Sequence, residues 1–232
     1  NYWFATGTPT FLVKMLKNIR FDISNLEENI TIDADSIMDY RYENIDPVPV
    51  MYQSGYLTIK SYDKFFNEYT LGYPNEEVKY GFLKELLPEY LNGLPTTEFD
   101  VRKFCRDLMA NNVKQFMLRL QTAFSDIPFD LENKTEKHYQ TIFYLLFKMM
   151  GQFIKTEEHS SAGSSDAVVD LPERIYIFEF KLDGNGTVEE ALKQIDTKGY
   201  ARKYKLSGKE IIKIGAVFDN EKRTIKEWEA RN

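Results

Sequence analysis

The sequence predicts an α/β fold: a central mixed sheet flanked by helices, preceded by a mostly helical segment that carries a β-hairpin. Three observations point there. From about residue 134 the pattern reads helix, three strands, helix, strand, so the last main strand follows a crossover helix. Upstream, apolar residues recur at helical spacing, interrupted by a tyrosine-rich alternating stretch. The composition, 43% hydrophobic and 28% charged over 232 residues, is that of a soluble globular chain with room for one large domain or two small ones.

The elements follow in order. Phe11, Leu12, Met15, Leu16 and Ile19 have helical spacing. Tyr56 to Tyr62 and Glu68 to Tyr73 read as the two strands of a hairpin around Lys64 to Asn67. Asn75 caps a helix with Glu76 and Glu77 in its first turn and Val78, Phe82, Leu83 and Leu86 on its apolar face. The turn cluster Asn92-Gly93-Leu94-Pro95 divides the chain into residues 1–94 and 95–232. A long helix is expected from Phe99 to about Phe124, ended by Ser125-Asp126-Ile127-Pro128. A second runs from about Lys134 to Met150, with Gly151 as its C-terminal cap. Strands are expected at Gln152–Thr156, Asp166–Asp170 and Arg174–Lys181. Thr187 and Glu190 make a capping box for a helix bearing Val188, Leu192 and Ile195. Ile211–Phe218 is a further strand and Thr224–Trp228 a short last one.

Several classes drop out. No apolar run of about 18 residues is present, so no membrane-spanning helix is expected, and the first residues lack a signal-peptide pattern. A single cysteine, Cys105, excludes a disulfide scaffold and a zinc site built on several thiolates. Its place between Phe104 and Leu108 suits a buried structural thiol. The net charge of −6 speaks against a protein that coats nucleic acid nonspecifically. The chain opens on Asn1-Tyr2-Trp3-Phe4 without a methionine, which suggests a segment of a longer protein.

Chemistry enters through the hairpin around Leu171-Pro172-Glu173-Arg174. If these residues form the loop, Asp170 pairs with Ile175 and Asp166 falls opposite Glu179. Two carboxylates so placed repel unless a cation sits between them, and magnesium, a hard ion that keeps waters for phosphates, suits them. A one-residue register slip would undo this. Strand alternation puts Lys181 on the face of Glu179, and Tyr176, Phe178 and Phe180 on the other. A lysine beside metal-binding carboxylates can position a water and stabilise charge on a phosphate. A Glu-x-Lys on a strand also makes an ordinary surface ion-pair face, and an Asp before a strand is often turn chemistry.

The run Gly163-Ser164-Ser165-Asp166, then Ile177-Phe178-Glu179-Phe180-Lys181, then Ala191-Leu192-Lys193-Gln194-Ile195 and Tyr200, resembles the PD-(D/E)XK nuclease superfamily. More narrowly, it is similar to the nuclease-like domain at the C-terminus of a bacterial AAA-ATPase-like family. Tyr2-Trp3 and Thr6-Gly7-Thr8-Pro9-Thr10-Phe11-Leu12 resemble the end of that family's ATPase portion. The resemblance implies a restriction-endonuclease-like fold over residues 95–232. It implies Asp166 and Glu179 as catalytic metal ligands for Mg2+ or Mn2+, Lys181 as catalytic, Gln194 as a catalytic residue that assists positioning, and Tyr200 near the site. Glu136 matches the helix glutamate that completes many such sites; with Asn133 it also fits a capping box. One departure is that Ser164-Ser165 follow Gly163 where family members often carry arginine, which removes a phosphate or carboxylate partner.

The segment 1–94 is then the C-terminal portion of an ATPase-like region. No G-x-x-x-x-G-K-[ST] occurs, so an ATP site is expected upstream and not in this chain. Between Lys193 and Lys213 seven basic residues face two acids. Lys193, Lys198, Tyr200, Arg202 and Lys203 are the candidates for phosphate contacts there, with a solvated helix face as the alternative. His138 and His159 make no metal site by themselves; His138 reads as an exposed or capping residue, and His159 as a loop residue close before Asp166, with an approach to the site as the less favoured alternative. Glu157 reads as a solvated edge position, with an inward-pointing strand position as the alternative. The expected function is metal-dependent phosphodiester hydrolysis of nucleic acid, DNA first, in a cytoplasmic bacterial protein. The alternative is an inactive nuclease-fold module that binds nucleic acid or a partner protein.

Overall fold

The computed structural model describes residues 8–19, 21, 23–26, 30–38, 46–91, 100–125, 136–153, 155–161, 164–219, 221–222 and 224–232. It divides into two compact units, Asn1–Tyr90 and Leu91–Asn232. The turn cluster at 92–95 lies outside the described residues.

In the first unit, α1 (Thr8–Asn18) buries Leu12, Val13, Met15 and Leu16, whereas Phe11 and Ile19 are exposed, so its apolar face is narrower than the spacing suggests. β1 spans Ile30–Asp33, and α2 (Pro47–Gln53) starts where the Asp46 side chain accepts from the Val48 amide. β2 (Thr58–Asp63) and β3 (Glu68–Gly72) form the expected hairpin. β1 adds to β3, giving an antiparallel sheet of order β1-β3-β2. Four residues are too few for alternation to announce β1 in the sequence. α3 (Glu76–Tyr90) is capped by Asn75, which accepts from the Val78 amide at 2.9 Å.

In the second unit the expected long helix is instead two, α4 (Val101–Met109) and α5 (Val113–Ser125). Asn111 adopts a left-handed φ of 55°, which ends α4. Asn112 then accepts from the Gln115 amide and starts α5. α6 covers Glu136–Met150. Gly151 does not take the left-handed cap conformation; its amide donates to Phe147 and Lys148 carbonyls in a continuing turn.

β4 (Lys155–Ser161), β5 (Ser164–Asp170), β6 (Arg174–Leu182), β7 (Glu210–Asp219) and β8 (Thr224–Arg231) form a five-stranded sheet in that order. β6 and β7 run parallel, joined through α7 (Val188–Lys198), and every other pair is antiparallel. β4 lies three residues beyond the expected start because an edge strand of sequence Lys-Thr-Glu-Glu-His-Ser-Ser carries no apolar alternation to read. β8 is longer than expected and pairs along β7. This is an α/β, restriction-endonuclease-like fold.

The sheet separates two apolar layers. On one face Tyr176, Phe178 and Phe180 are buried. Phe178 lies 5.3 Å from Phe116 of α5 and 5.2 Å from Phe147 of α6, centroid to centroid, and Phe180 lies 4.1 Å from Phe143. On the other, Val168, Ile175 and Ile177 pack against Leu192 and Ile195 of α7 and against Tyr204. Burying such side chains is worth about 1.5–3 kcal/mol each before entropy is counted, so both faces of β6 are committed.

Candidate active site

The β5–β6 register is the one the turn requires. Leu171 donates to the Arg174 carbonyl at 2.8 Å, Asp170 pairs with Ile175, and Asp166 pairs with Glu179. Arg174 heads β6 rather than closing the loop, and the register is unchanged. Asp166 and Glu179 therefore share a sheet face; the Asp166 side chain lies outside the described ones.

Glu179 is fully buried. Its Oε1 accepts from Lys181 Nζ at 3.0 Å, and its Oε2 is buried with no hydrogen-bond partner among the described residues. Lys181 Nζ also donates to Gln194 Oε1 on α7, so strand and helix meet at the ammonium. A buried carboxylate oxygen without a partner costs at least about 1–3 kcal/mol. Natural structures keep such an atom where something else completes it. The donor set fits a hard divalent cation: carboxylate oxygens on one face and a lysine ammonium beside them. Among the described side chains no group of three or more His, Cys, Asp or Glu converges, so the fit rests on Glu179 and on the register position of Asp166.

Two glycines escaped the sequence reading. Gly215 of β7 pairs with Glu179, and a Cβ there would lie 2.8 Å from the Val188 carbonyl oxygen and 2.9 Å from Leu192 Cγ. Its lack of a side chain lets α7 lie close on the sheet, which brings Gln194 to Lys181. A Cβ on Gly186 would meet Lys181 Cγ and Cδ at 3.2 Å, so the β6–α7 loop closes against the lysine stem. A glycine within β7, directly after its Ile-Ile-Lys-Ile run, was the available signal for a close backbone approach.

The remaining candidates fall as follows. Glu136 is the first residue of α6, and its side chain lies outside the described ones, as does that of His138. Lys193, Lys198 and Arg202 are exposed, and Lys198 Nζ sits 5.5 Å above the half-buried Tyr200 ring. Lys203 belongs to a 3-10 turn over Tyr200–Tyr204, its side chain also outside the described ones. Two lysines of the basic stretch are paired with acids: Lys213 with Asp196 at 2.8 Å, and Lys209 with Asp170. Burial works to raise the Asp170 carboxyl. Hydrogen bonds and charge from Lys209 and Lys155 outweigh it and hold the group below its ordinary value. His159 lies on β4, paired with Asp166, and not in a loop; Glu157 lies on the same edge strand. Burial pushes the Cys105 thiol up to about 11, as suits an inert core residue.

Comparison with known proteins concerns the segment that carries these strands and α7. Residues 134–228 match the family model of the PD-(D/E)XK nuclease superfamily. A protein of Azotobacter chroococcum mcd 1, described as an uncharacterized protein in the vnfD 5' region, is 32% identical over 231 residues, covering 97% of this chain and 45% of that protein. The chain thus spans about half the length of this curated relative. No solved structure matches. No described helix is long and apolar enough to cross a membrane. The superfamily's general chemistry is hydrolysis of phosphodiester bonds with divalent metals, and residues 134–228 are the part of this chain that is similar to its domains.

Proposed function

We propose that the domain hydrolyses phosphodiester bonds of nucleic acid, DNA in the first instance, with Mg2+ or Mn2+, and that it works in the bacterial cytoplasm as part of a longer protein. In that protein, residues 1–94 end an ATPase-like region whose nucleotide site lies upstream, and residues 95–232 form the nuclease-like domain. Asp166 and Glu179 hold the cation, with Glu136 as a further ligand. The observation that carries this reading is the Glu179 carboxylate: buried, tied to Lys181 through one oxygen, with the other oxygen orphaned among the described residues beside the register position of Asp166.

A bound divalent cation supplies Lewis-acid polarisation of the scissile phosphate. The chain's own residues do the rest. Glu179 and Gln194 accept from Lys181 and fix its ammonium at the edge of the carboxylate pair. From there the ammonium orients the attacking water and stabilises the charge that develops on phosphate. Lys193, Lys198, Tyr200, Arg202 and Lys203 contact the backbone of the substrate. Charged contacts of this kind make binding fall as salt rises.

The test is cleavage of plasmid and single-stranded DNA in Mg2+ or Mn2+, with a chelator control and Lys181→Ala. Metal-dependent cleavage that drops at least about a hundredfold in the variant supports the reading. Equal cleavage by both proteins sinks it. Retained DNA binding without cleavage by the unmodified chain assigns the domain to the non-catalytic binding module instead.

A further inference from the structure

Three neighbouring strands line up His159, Asp166 and Glu179 in one row across the sheet: His159 pairs with Asp166, and Asp166 pairs with Glu179. Directly paired residues of antiparallel strands share a face. The row therefore sets an imidazole-bearing residue and two carboxylate-bearing residues on the face that carries Lys181, with Asp166 central. Beyond Glu179 the row continues to Gly215, which contributes no side chain. Neighbouring strands are about 4.8 Å apart, so the positions of His159 and Glu179 lie one strand spacing to either side of the Asp166 position.

We propose that His159 is a nitrogen ligand of the metal at this site and shifts its preference from Mg2+ toward Mn2+ and Co2+. The proposal rests on the reading of Asp166 and Glu179 as metal ligands. Its chemistry is the difference between donor types. Magnesium favours an all-oxygen set and gains little from imidazole, whereas the first-row transition ions gain from a nitrogen donor. The chain holds only two histidines, and the other, His138, lies on α6. A nitrogen signal from bound metal can therefore be assigned by two variants.

The experiment is pulsed electron paramagnetic resonance of Mn2+ bound to the 232-residue chain labelled with 15N-histidine. Calorimetric titration of Mn2+ and Mg2+ accompanies it. The expected result is histidine nitrogen coupling in the unmodified chain and in His138→Gln, absent in His159→Gln. Mn2+ affinity should fall at least about tenfold in His159→Gln, while Mg2+ affinity stays within about twofold. No nitrogen coupling in the unmodified chain, with Mn2+ binding still lost in Asp166→Asn and Glu179→Gln, overturns the role of His159 and leaves the carboxylate site standing. Mn2+ binding untouched by Asp166→Asn and Glu179→Gln overturns the carboxylate reading and this inference with it. The unmodified chain shows whether a histidine nitrogen binds the metal at all, and coupling retained in His138→Gln assigns it to His159.

Discussion

Gly215 faces Glu179 across the parallel ladder of β6 and β7, and the first turn of α7 rests on it: an added Cβ would come 2.8 Å from the Val188 carbonyl oxygen. Backbone cannot yield as a flexible side chain does. Gly215→Ala is expected to cost about 1–3 kcal/mol through overpacking. It should also part Gln194 from Lys181, lowering cleavage by more than the stability loss explains. Thermal denaturation and cleavage rates measured below the transition check both; a variant with unchanged melting refutes the close seating.

The Lys181–Glu179 pair is largely shielded from water, with side-chain exposures of 11% and 0%. Removing one partner from such a pair strands the other. Lys181→Met should therefore lose about 3–5 kcal/mol, and adding Glu179→Gln should restore much of it. Mn2+ should restore stability to Lys181→Met alone. Urea titrations of the two variants decide; equal stabilities of Lys181→Met and the double variant would contradict it.

Asp170 sets an acid limit. Its carboxyl is held below the ordinary value when folded, so it stabilises the fold above its unfolded value and loses that contribution as pH falls through the folded one. Asp170→Asn should be less stable than the unmodified chain at neutral pH. The gap should close below about pH 4. Melting curves across this range test it, and a gap constant with pH would show that the Lys155 and Lys209 pairs contribute nothing.

Cys105 should be silent. With its thiol pushed up to about 11 and only 3% exposed, it presents little thiolate at neutral pH. Alkylation by iodoacetamide should run at least about a hundredfold slower in the folded chain than in urea. Comparable rates would place the thiol at the surface.

The β5–β6 register could be read because the Leu171–Arg174 turn sits between strands with clear alternation, and pairing from a known turn leaves no freedom. The α7 cap was equally legible, since Thr187 and Glu190 satisfy each other's amides locally. What failed depends on longer range or weaker signals. The break at Asn111 was hidden because apolar residues on both sides keep facing one core. Tyr176 supports that break from β6, donating to the Leu108 carbonyl or Asn111 Oδ1. β4 is polar because it is an edge, so only its partner strand reveals it. The orphaned oxygen of Glu179 and the seat at Gly215 are properties of packing, which spacing cannot show.

Lys181 and Gln194 stand thirteen residues apart, the same separation as Asp166 and Glu179. Each contact closes a short loop, so the entropy spent on bringing the four residues together is small. Hairpin and helix form one contiguous stretch of chain, and the later strand β7 completes it by seating α7 on Gly215. Length changes in the connections before it would alter what surrounds this stretch and leave its internal geometry alone.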